Sequence, residues 1–564
     1  MTTESPLPAP AAATADFGAQ PQFVPFPALI EQHARARPEQ PAFICDEKIL
    51  TWRELAAQVA RVGAACGAMG VHEGDKVALL ATMSLEALAT FFGVVRAGAC
   101  VVPLATSATP LSMLAMLRDS DAKVLVVSAD MHAALAEVEG ALRDEYAGRL
   151  VAIDFAAPGW MGWRDWIGPP SAPPPAPLST LSSTLSSALS SALSSTPAPE
   201  PPAPVPLRPE HDFNLIYSSG TTGDPKGILH RHGMRFQQAA RRNFSLGPAS
   251  VMLLSTPIYS NTTLQPMLAT VAAGGTSVLM PKFSAAGYLR LCQRYGVTHT
   301  MLVPVQYQRI LDHPDFADTD LSSFVLKQCT GAPLDAGLKL RIRQNWPGKL
   351  REIYGMTEGG CACVLDADEF PDKLGTVGKP AQNHDIRIID EAGRELPRGE
   401  AGEIVGRSPY MMAGYYKRPQ STEEFYWRDA TGAVFHRSGD IGRFDADGFL
   451  ILLDRKKDMI ISGGFNIYAA DLEAVIAAHP KVREVTVIGI PSAQWGETPL
   501  ALVVPVAGAD TSAEELLRWT NEQVGKTQRL AAVEYRGELP RSALGKVLKR
   551  ELREAYWKAP AAGV

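Results

Sequence analysis

Eleven consecutive residues carry the densest chemistry in the chain: Tyr217-Ser218-Ser219-Gly220-Thr221-Thr222-Gly223-Asp224-Pro225-Lys226-Gly227. Gly220, Gly223 and Gly227 let the backbone reach positive φ and come close to a ligand. Successive N–H groups in such a loop can form an anion-binding nest. Ser218, Ser219, Thr221 and Thr222 add hydroxyl donors, and Lys226 adds a positive charge. The combination suits a polyphosphate. It is not a Walker A loop, in which Gly-Lys-Ser/Thr closes the motif, because Lys226 is followed by Gly227.

Three further groups could act on the same ligand. In Tyr354-Gly355-Met356-Thr357-Glu358 the threonine offers a hydroxyl to a phosphate. The glutamate there offers hard oxygen to Mg²⁺. In Ser438-Gly439-Asp440 a carboxylate in a tight turn can accept two ribose hydroxyls at once. Standing alone, the first of these motifs is equally compatible with a polar turn, and the second reads better as a turn aspartate with no ligand. In Pro540-Arg541-Ser542-Ala543-Leu544-Gly545-Lys546-Val547 the glycine leaves room for a loop to enter a cleft and present Lys546. Composition by itself assigns that lysine no role.

The elements that must hold these groups follow from periodicity. An apolar run with Phe213, Leu215 and Ile216 predicts a strand leading into the first loop, and a helix is expected afterwards from about Arg231 to Arg242. Upstream, Thr51-Trp52-Arg53-Glu54 is a capping box before a helix to about Gly67. Strands are expected at Lys76–Leu80, Cys100–Leu104 and Lys123–Val127, with helices at Leu85–Arg96 and near Met131–Leu142. A second series runs through Val251–Leu254, Ser277–Met280, Tyr288–Arg294, Thr298–Pro304 and Cys329-Thr330-Gly331-Ala332-Pro333. This alternation argues for parallel sheets built of βαβ units. Near Asp440 the pattern changes to short strands and turns, and the charged block Asp454–Asp458 reads as a domain boundary. Beyond it come a helix at Ala470–Ala478, strands at Val485–Ile490 and Leu500–Pro505, and a helix capped at Thr511 or Ser512, a small α+β domain. Residues 169–207 differ: Pro/Ala flanks enclose a serine-rich four-residue repeat with leucine at 181, 185, 189 and 193. That composition reads as a disordered insertion, with a weak helix as the lesser alternative.

A chain of 564 residues exceeds one core, so two or more domains are expected. A net charge of −6, from 54 basic and 60 acidic residues, points to no nucleic-acid partner. Residues 1–22 read as a disordered Pro/Ala-rich lead-in and not a signal peptide. With no long apolar run, no transmembrane segment is expected, and the cytoplasm is the default location. Seven scattered cysteines are no disulfide framework; Cys361 and Cys363 read as small packing residues. The oligomeric state stays open, a homodimer included.

In order and spacing these motifs resemble the acyl-adenylate-forming superfamily of acyl-CoA synthetases, luciferases and peptide-synthetase adenylation domains. Gly74-Asp75-Lys76-Val77, Arg96-Ala97-Gly98 and Ile441-Gly442-Arg443-Phe444 resemble it too. The resemblance implies an α/β fold: a large adenylate-forming domain over 23–453, a hinge at 454–458 and a small mobile α+β domain over 459–564. It implies an AMP-forming carboxylic acid–CoA ligase that uses ATP, Mg²⁺ and coenzyme A. It gives Lys546, Thr222 and Glu358 catalytic roles, with Glu358 on the metal. The nucleotide would be held by Ser218–Gly223, Lys226, Gly331, Ala332, Pro333, Tyr354, Gly355, Met356, Thr357, Asp440 and Arg455. Lys457 falls at the hinge position, Gly463 and Gly464 on the CoA tunnel, and Trp495 either on pantetheine or in the core. Tyr259, Ser260, Gly359, Gly360 and Cys361 would line the acyl pocket. Ser260 stands where the family often carries a gating histidine, which suggests room for a bulky apolar acid, an aryl ring or an alkyl chain. No arginine stands out as partner for a second carboxylate, which weighs against dicarboxylic acids. The competing readings are an enzyme loading an acyl carrier protein in trans, a luciferase-type oxygenase and a non-catalytic nucleotide-binding protein.

Overall fold

The computed structural model describes residues 17, 20–169, 205–218, 226–241, 244–456, 458–462, 465–492, 494–525, 528–542 and 545–557, without the side chains of 218, 465 and 466. The expectations for Ser219, Gly220, Thr221, Thr222, Gly223, Lys457, Gly463 and Gly464, for the side chain of Ser218, and for most of 1–22 and 169–207 lie outside the described residues.

Among the described residues the strands form four sheets. The centre of the largest is parallel and runs through Lys349–Gly355, Leu326–Cys329, His299–Leu302, Val251–Leu254, Thr276–Leu279 and Pro41–Cys45. The second places Asp212–Ser218, Cys100–Pro103, Lys76–Leu80 and Ala122–Val127 in parallel. Four of these strands, Cys100–Pro103, Thr276–Leu279, His299–Leu302 and Leu326–Cys329, are buried along their whole length, as parallel strands covered on both faces must be. The helix Leu85–Arg96 is buried at every position but Glu86, in a core with Phe26, Phe43, Trp52 and Phe213. The expected cap is present: Thr51 Oγ1 accepts from the Glu54 N–H at 3.3 Å, and Glu54 Oε2 accepts from the Thr51 N–H at 2.9 Å. Helix Trp52–Ala68 follows.

Three expectations are corrected. The segment after the phosphate-loop motif is not helical at Arg231. Lys226–Arg231 is a strand antiparallel to Asp212–Ser218, with Ser218 opposite Lys226, and the helix begins at His232 and ends at Ala239. The two ends of the motif, Tyr217–Ser218 and Lys226–Gly227, therefore face each other on antiparallel strands. Second, the helix expected near 131–142 is broken into Ala129–Ala134, a 3-10 turn at Ala136–Val138 and Glu139–Glu145. The breaks let Leu135, Val138 and Leu142 all reach the core, at a point where Val138 and Gly140 are poor helix formers. Third, the change to antiparallel strands comes well before Asp440. A third sheet is built from Asp385–Ile389, Gly402–Arg407, Val434–Phe444, Tyr426–Arg428 and Leu450–Arg455.

The fourth sheet, centred on Gly496–Pro505 and Val482–Ser492, packs the helices Ala469–Ala477 and Ala513–Gln523 on its own core of Ile460, Leu472, Val487, Val503 and Leu516. Ser512 caps the second helix in a capping box with Glu515. Between the third and fourth sheets the chain is tied on both sides. Lys456 Nζ meets Glu403 Oε2 at 3.0 Å, while Arg553 Nη2 donates to the Asp458 carbonyl at 3.0 Å. The Arg455 carbonyl accepts from the N–H groups of Asp458 and Met459 at 2.8 and 2.9 Å. Among the described residues no helix is long and apolar enough to cross a membrane.

Candidate active site

The carboxyl ends of the first sheet, the third sheet and a loop of the small domain enclose a cavity of about 800 Å³. Strand Lys349–Gly355 brings Tyr354 to its end beside this space. Tyr354 Oη donates to Asp440 Oδ2 at 2.8 Å. Burial, with the Asp440 charge beside it, holds the phenol well above its ordinary pKa, so it stays a donor. Asp440 follows Gly439 at φ +69°, and its own N–H is held by Ser438 Oγ at 3.0 Å. Arg455 stands opposite Asp440 in the antiparallel register, with Nε 3.3 Å from Oδ1. A carboxylate has about four acceptor directions, so Asp440 is fixed by two partners and still has lone pairs for a vicinal diol.

Glu358 lies further along the same segment. The glycines after it allow a close approach to the third sheet. Gly359 (φ +74°) lies against the Tyr410 carbonyl, and a Cβ on Gly360 (φ +88°) would come within 2.6 Å of the Gly406 carbonyl. Tyr415 Oη donates to Glu358 Oε1 at 2.9 Å. Burial raises the Glu358 pKa, against that hydrogen bond and the positive charges of Arg455 and Lys226. Lys226 Nζ sits 5.3 Å from the Tyr415 ring centroid. Among the described residues no cluster of three or more His, Cys, Asp or Glu side chains could hold a metal alone. A buried carboxylate short of positive charge nevertheless fits Mg²⁺, which binds through one or two carboxylates plus substrate phosphates and water.

A buried network that sequence reasoning missed supports this segment. His230 Nε2 meets the Thr357 carbonyl at 2.8 Å, and its Nδ1 meets Arg235 Nη2 at 3.0 Å. Arginine only donates, so Nδ1 accepts and Nε2 carries the proton given to Thr357. Burial, and then the Arg235 charge, keep this histidine neutral by lowering its pKa. Arg235 also donates to Asn214 Oδ1 at 2.8 Å and Gln238 Oε1 at 3.0 Å. Histidine and arginine flanking a strand read as solvated in sequence, and only the fold buries them.

Lys546 reaches the cavity from the small domain. Its loop is closed by Ser542 N–H to Lys546 carbonyl and Gly545 N–H to Ser542 carbonyl, both 2.8 Å. Gly545 has φ +77°, and a Cβ there would lie 2.5 Å from Val305 Cγ1. The loop is thus inserted against the helix Pro304–Leu311 of the large domain. Lys546, Ser542, Lys226, Tyr217, Glu358, Thr357, Asp440 and Arg455 all face one space.

The remaining wall belongs to Tyr259, Ser260, Gly359, Cys361 and Ala362. Ser260 is buried and caps helix Asn261–Ala273, accepting from the Thr262 N–H at 3.2 Å. Its hydroxyl thus has a local structural task, and Tyr259 Oη lies 3.2 Å from Ser107 Oγ. Gly355, Met356 and Gly331 line the cavity, while Ala332, Pro333 and Gly360 are outside its lining. Trp495 is 51% exposed and outside the cavity, so it is not a core residue. No arginine stands out in the sequence as partner for a second carboxylate, yet Arg241 lines the cavity, with His384 and Gln238. In sequence it belongs to an Arg-Arg-Asn run, which reads as a solvated helix end.

Comparison with known proteins agrees with this geometry. The chain is 33% identical over 529 residues to a feruloyl-CoA synthase of Amycolatopsis, covering 93% of this chain and 98% of that one. It is 30% identical over 535 residues to the long-chain-fatty-acid–CoA ligase FadD13 of Mycobacterium tuberculosis, covering 94% and 98%. ATP-bound MatB from Rhodopseudomonas palustris superposes with a TM-score of 0.79 at 27% identity, over 95% of this chain and 99% of that one. The family described as AMP-binding enzyme matches residues 30–416, and its C-terminal domain matches 471–546. The chain belongs to the AMP-binding enzyme family, within the superfamily of AMP-forming acyl-CoA synthetases.

Proposed function

We propose that the protein is an ATP-dependent carboxylic acid–CoA ligase acting on an organic acid with an apolar body, an aryl ring or an alkyl chain. The observation that carries this reading is the convergence of Lys546, Glu358, Lys226, Asp440 and Arg455 on one cavity, with Tyr354 hydrogen-bonded to Asp440 beside it. Phe244, Met301 and Ile353 supply apolar wall beside them.

A carboxylate resists nucleophiles because its resonance-stabilised charge repels them. In the proposed first step its oxygen attacks the α-phosphorus of ATP and pyrophosphate leaves, giving an acyl-adenylate. Charge gathers on the phosphate oxygens, so the help required is electrostatic and positional. Lys546 and Lys226 place positive charge there, Asp440 holds the ribose hydroxyls, and Thr357 donates to a phosphate oxygen. Mg²⁺ on Glu358 supplies further neutralisation of the phosphates when bound. In the second step the CoA sulfur attacks the acyl carbon and AMP leaves with the bonding pair. A thiol titrates near ~8.5, so part of the CoA is already thiolate and no strong protein base is needed.

The test is pyrophosphate release with a panel of aryl and alkyl acids. Lys546→Ala should lower the rate roughly 10²–10³-fold, the usual cost of losing one transition-state contact. Undiminished release in that variant would refute the assignment. Thioester formation with free CoA separates this reading from delivery to an acyl carrier protein in trans.

A further inference from the structure

The cavity wall holds a cation with no acidic partner among the described residues. Arg241 lies just past helix His232–Ala239 and lines the cavity. Its Nε and Nη2 are buried away from solvent and cavity alike and meet no hydrogen-bond partner among the described residues, which leaves Nη1 as the edge that reaches the cavity. The guanidinium carbon lies 3.0 Å from the Tyr410 ring centroid. The His384 ring stacks on the same tyrosine at 5.5 Å and 30°. His384 is held neutral, its pKa lowered to about 4 by burial and then by the Arg241 charge. Among the described residues no Asp or Glu forms an ion pair with Arg241, whose charge interacts with Tyr410 and His384.

A second donor points the same way. Gln238 lies three residues before Arg241 and also lines the cavity. Its Oε1 is fixed as an acceptor by Arg235 Nη1 at 3.0 Å, so its amide NH₂ is left to donate. A guanidinium and an amide N–H, three residues apart in the chain and both on the lining of one cavity, form a subsite for an oxyanion. A charge removed from water without a counter-charge is costly unless a partner arrives, and here the cavity is where a partner can come from.

We propose that Arg241, with Gln238 beside it, receives a second carboxylate of the substrate, so that the acid is a dicarboxylic acid with an apolar spacer. This rests on the ligase reading above and narrows its substrate class.

The experiment compares matched acids, hexanoate against hexanedioate and 3-phenylpropanoate against its para-carboxylate, by AMP formation in wild type, Arg241→Gln and Arg241→Lys. Wild type should favour each diacid by ~10-fold or more in kcat/KM. Arg241→Gln should lose roughly 100-fold on the diacid, chiefly through KM, as when one partner of a desolvated charge pair is truncated. Arg241→Lys should fall between. The wild-type comparison needs no variant to fold. Equal use of mono- and diacids, or a variant that lowers both alike, overturns the Arg241 proposal and leaves the ligase reading standing. Calorimetric binding of hexanedioate that disappears in Arg241→Gln, without AMP from any acid, would sink the ligase reading and keep the subsite. Absence of both binding and turnover overturns the subsite too.

Discussion

Gly545→Ala probes whether Lys546 enters the cleft only for adenylation. Two penalties act on this substitution. At φ +77° any side chain pays roughly 1–2 kcal/mol of backbone strain, wherever the small domain sits. The new Cβ would also lie 2.5 Å from Val305 Cγ1, well inside the ~3.5–4.0 Å of normal carbon contact. Overpacking of this kind costs ~1–3 kcal/mol. Val305 is only half-buried and can yield in part, so the lower half of that range applies, about 5- to 30-fold in rate. This second penalty exists only while the loop is inserted. Pyrophosphate release should therefore fall by that factor, while thioester formation from synthetic acyl-adenylate and CoA keeps its rate. Val305→Ala in the same chain should restore most of the loss, giving a clear coupling energy in the double-mutant cycle. Equal loss in both half-reactions, or no recovery with Val305→Ala, would refute the reasoning.

Glu358→Gln should lower adenylation about 10²–10³-fold yet raise the denaturation midpoint at neutral pH. Because burial lifts the Glu358 pKa, its ionised form opposes folding, and the gain should fade as pH falls through the raised value toward ~4.3; a gain that grows in acid would contradict this. Tyr354→Phe removes the 2.8 Å donor to Asp440, a charge-assisted bond of ~1.5–3 kcal/mol, and should raise the KM for ATP about 10- to 100-fold with a smaller change in kcat. His230→Leu strands the Thr357 carbonyl and the Arg235 guanidinium at ~1–3 kcal/mol each. Both stability and adenylation should drop, and His230→Gln, which keeps a donor and an acceptor, should recover part of each. Burial lowers His232 to about 3 and His299, His384 and His436 to about 4. The unfolded chain then takes up protons first, below ~6.5; the stability is complete above that pH and is lost as pH falls toward 4. A flat denaturation midpoint over this window would count against it.

The legible part of the molecule was that whose chemistry is local. Thr51 with Glu54, Ser512 with Glu515, and the strand at Lys76–Leu80 are written in neighbouring residues, so capping and periodicity found them. Tyr354, Glu358, Asp440 and Lys546 were recognisable as motifs, and the fold brings the last three to one space with Tyr354 bonded to Asp440 behind it. Strand Lys226–Arg231 was hidden because His230 and Arg231 mask its alternation, and its pairing with Asp212–Ser218 is a tertiary fact. The antiparallel sheet from Asp385 onward was missed because its strands alternate half-buried charges with apolar residues, as in Asp385–Ile389. Arg241, Tyr410, Tyr415 and His384 come from separate elements, and nothing in any one of them announces the wall that they build together.

The ties around the interdomain segment carry a mechanical consequence. Arg455 and Lys456 are moored to Asp440 and Glu403 on one side, and Asp458 is moored to Arg553 on the other. The Arg455 carbonyl also spans the gap to Asp458 and Met459. A swivel of the two bodies about this segment would have to rupture those bridges. Asp440 keeps lone pairs for a diol while Tyr354 and Arg455 hold it, so a sugar could be clasped with that mooring intact. Nucleotide capture and torsional freedom would then rest on separate contacts.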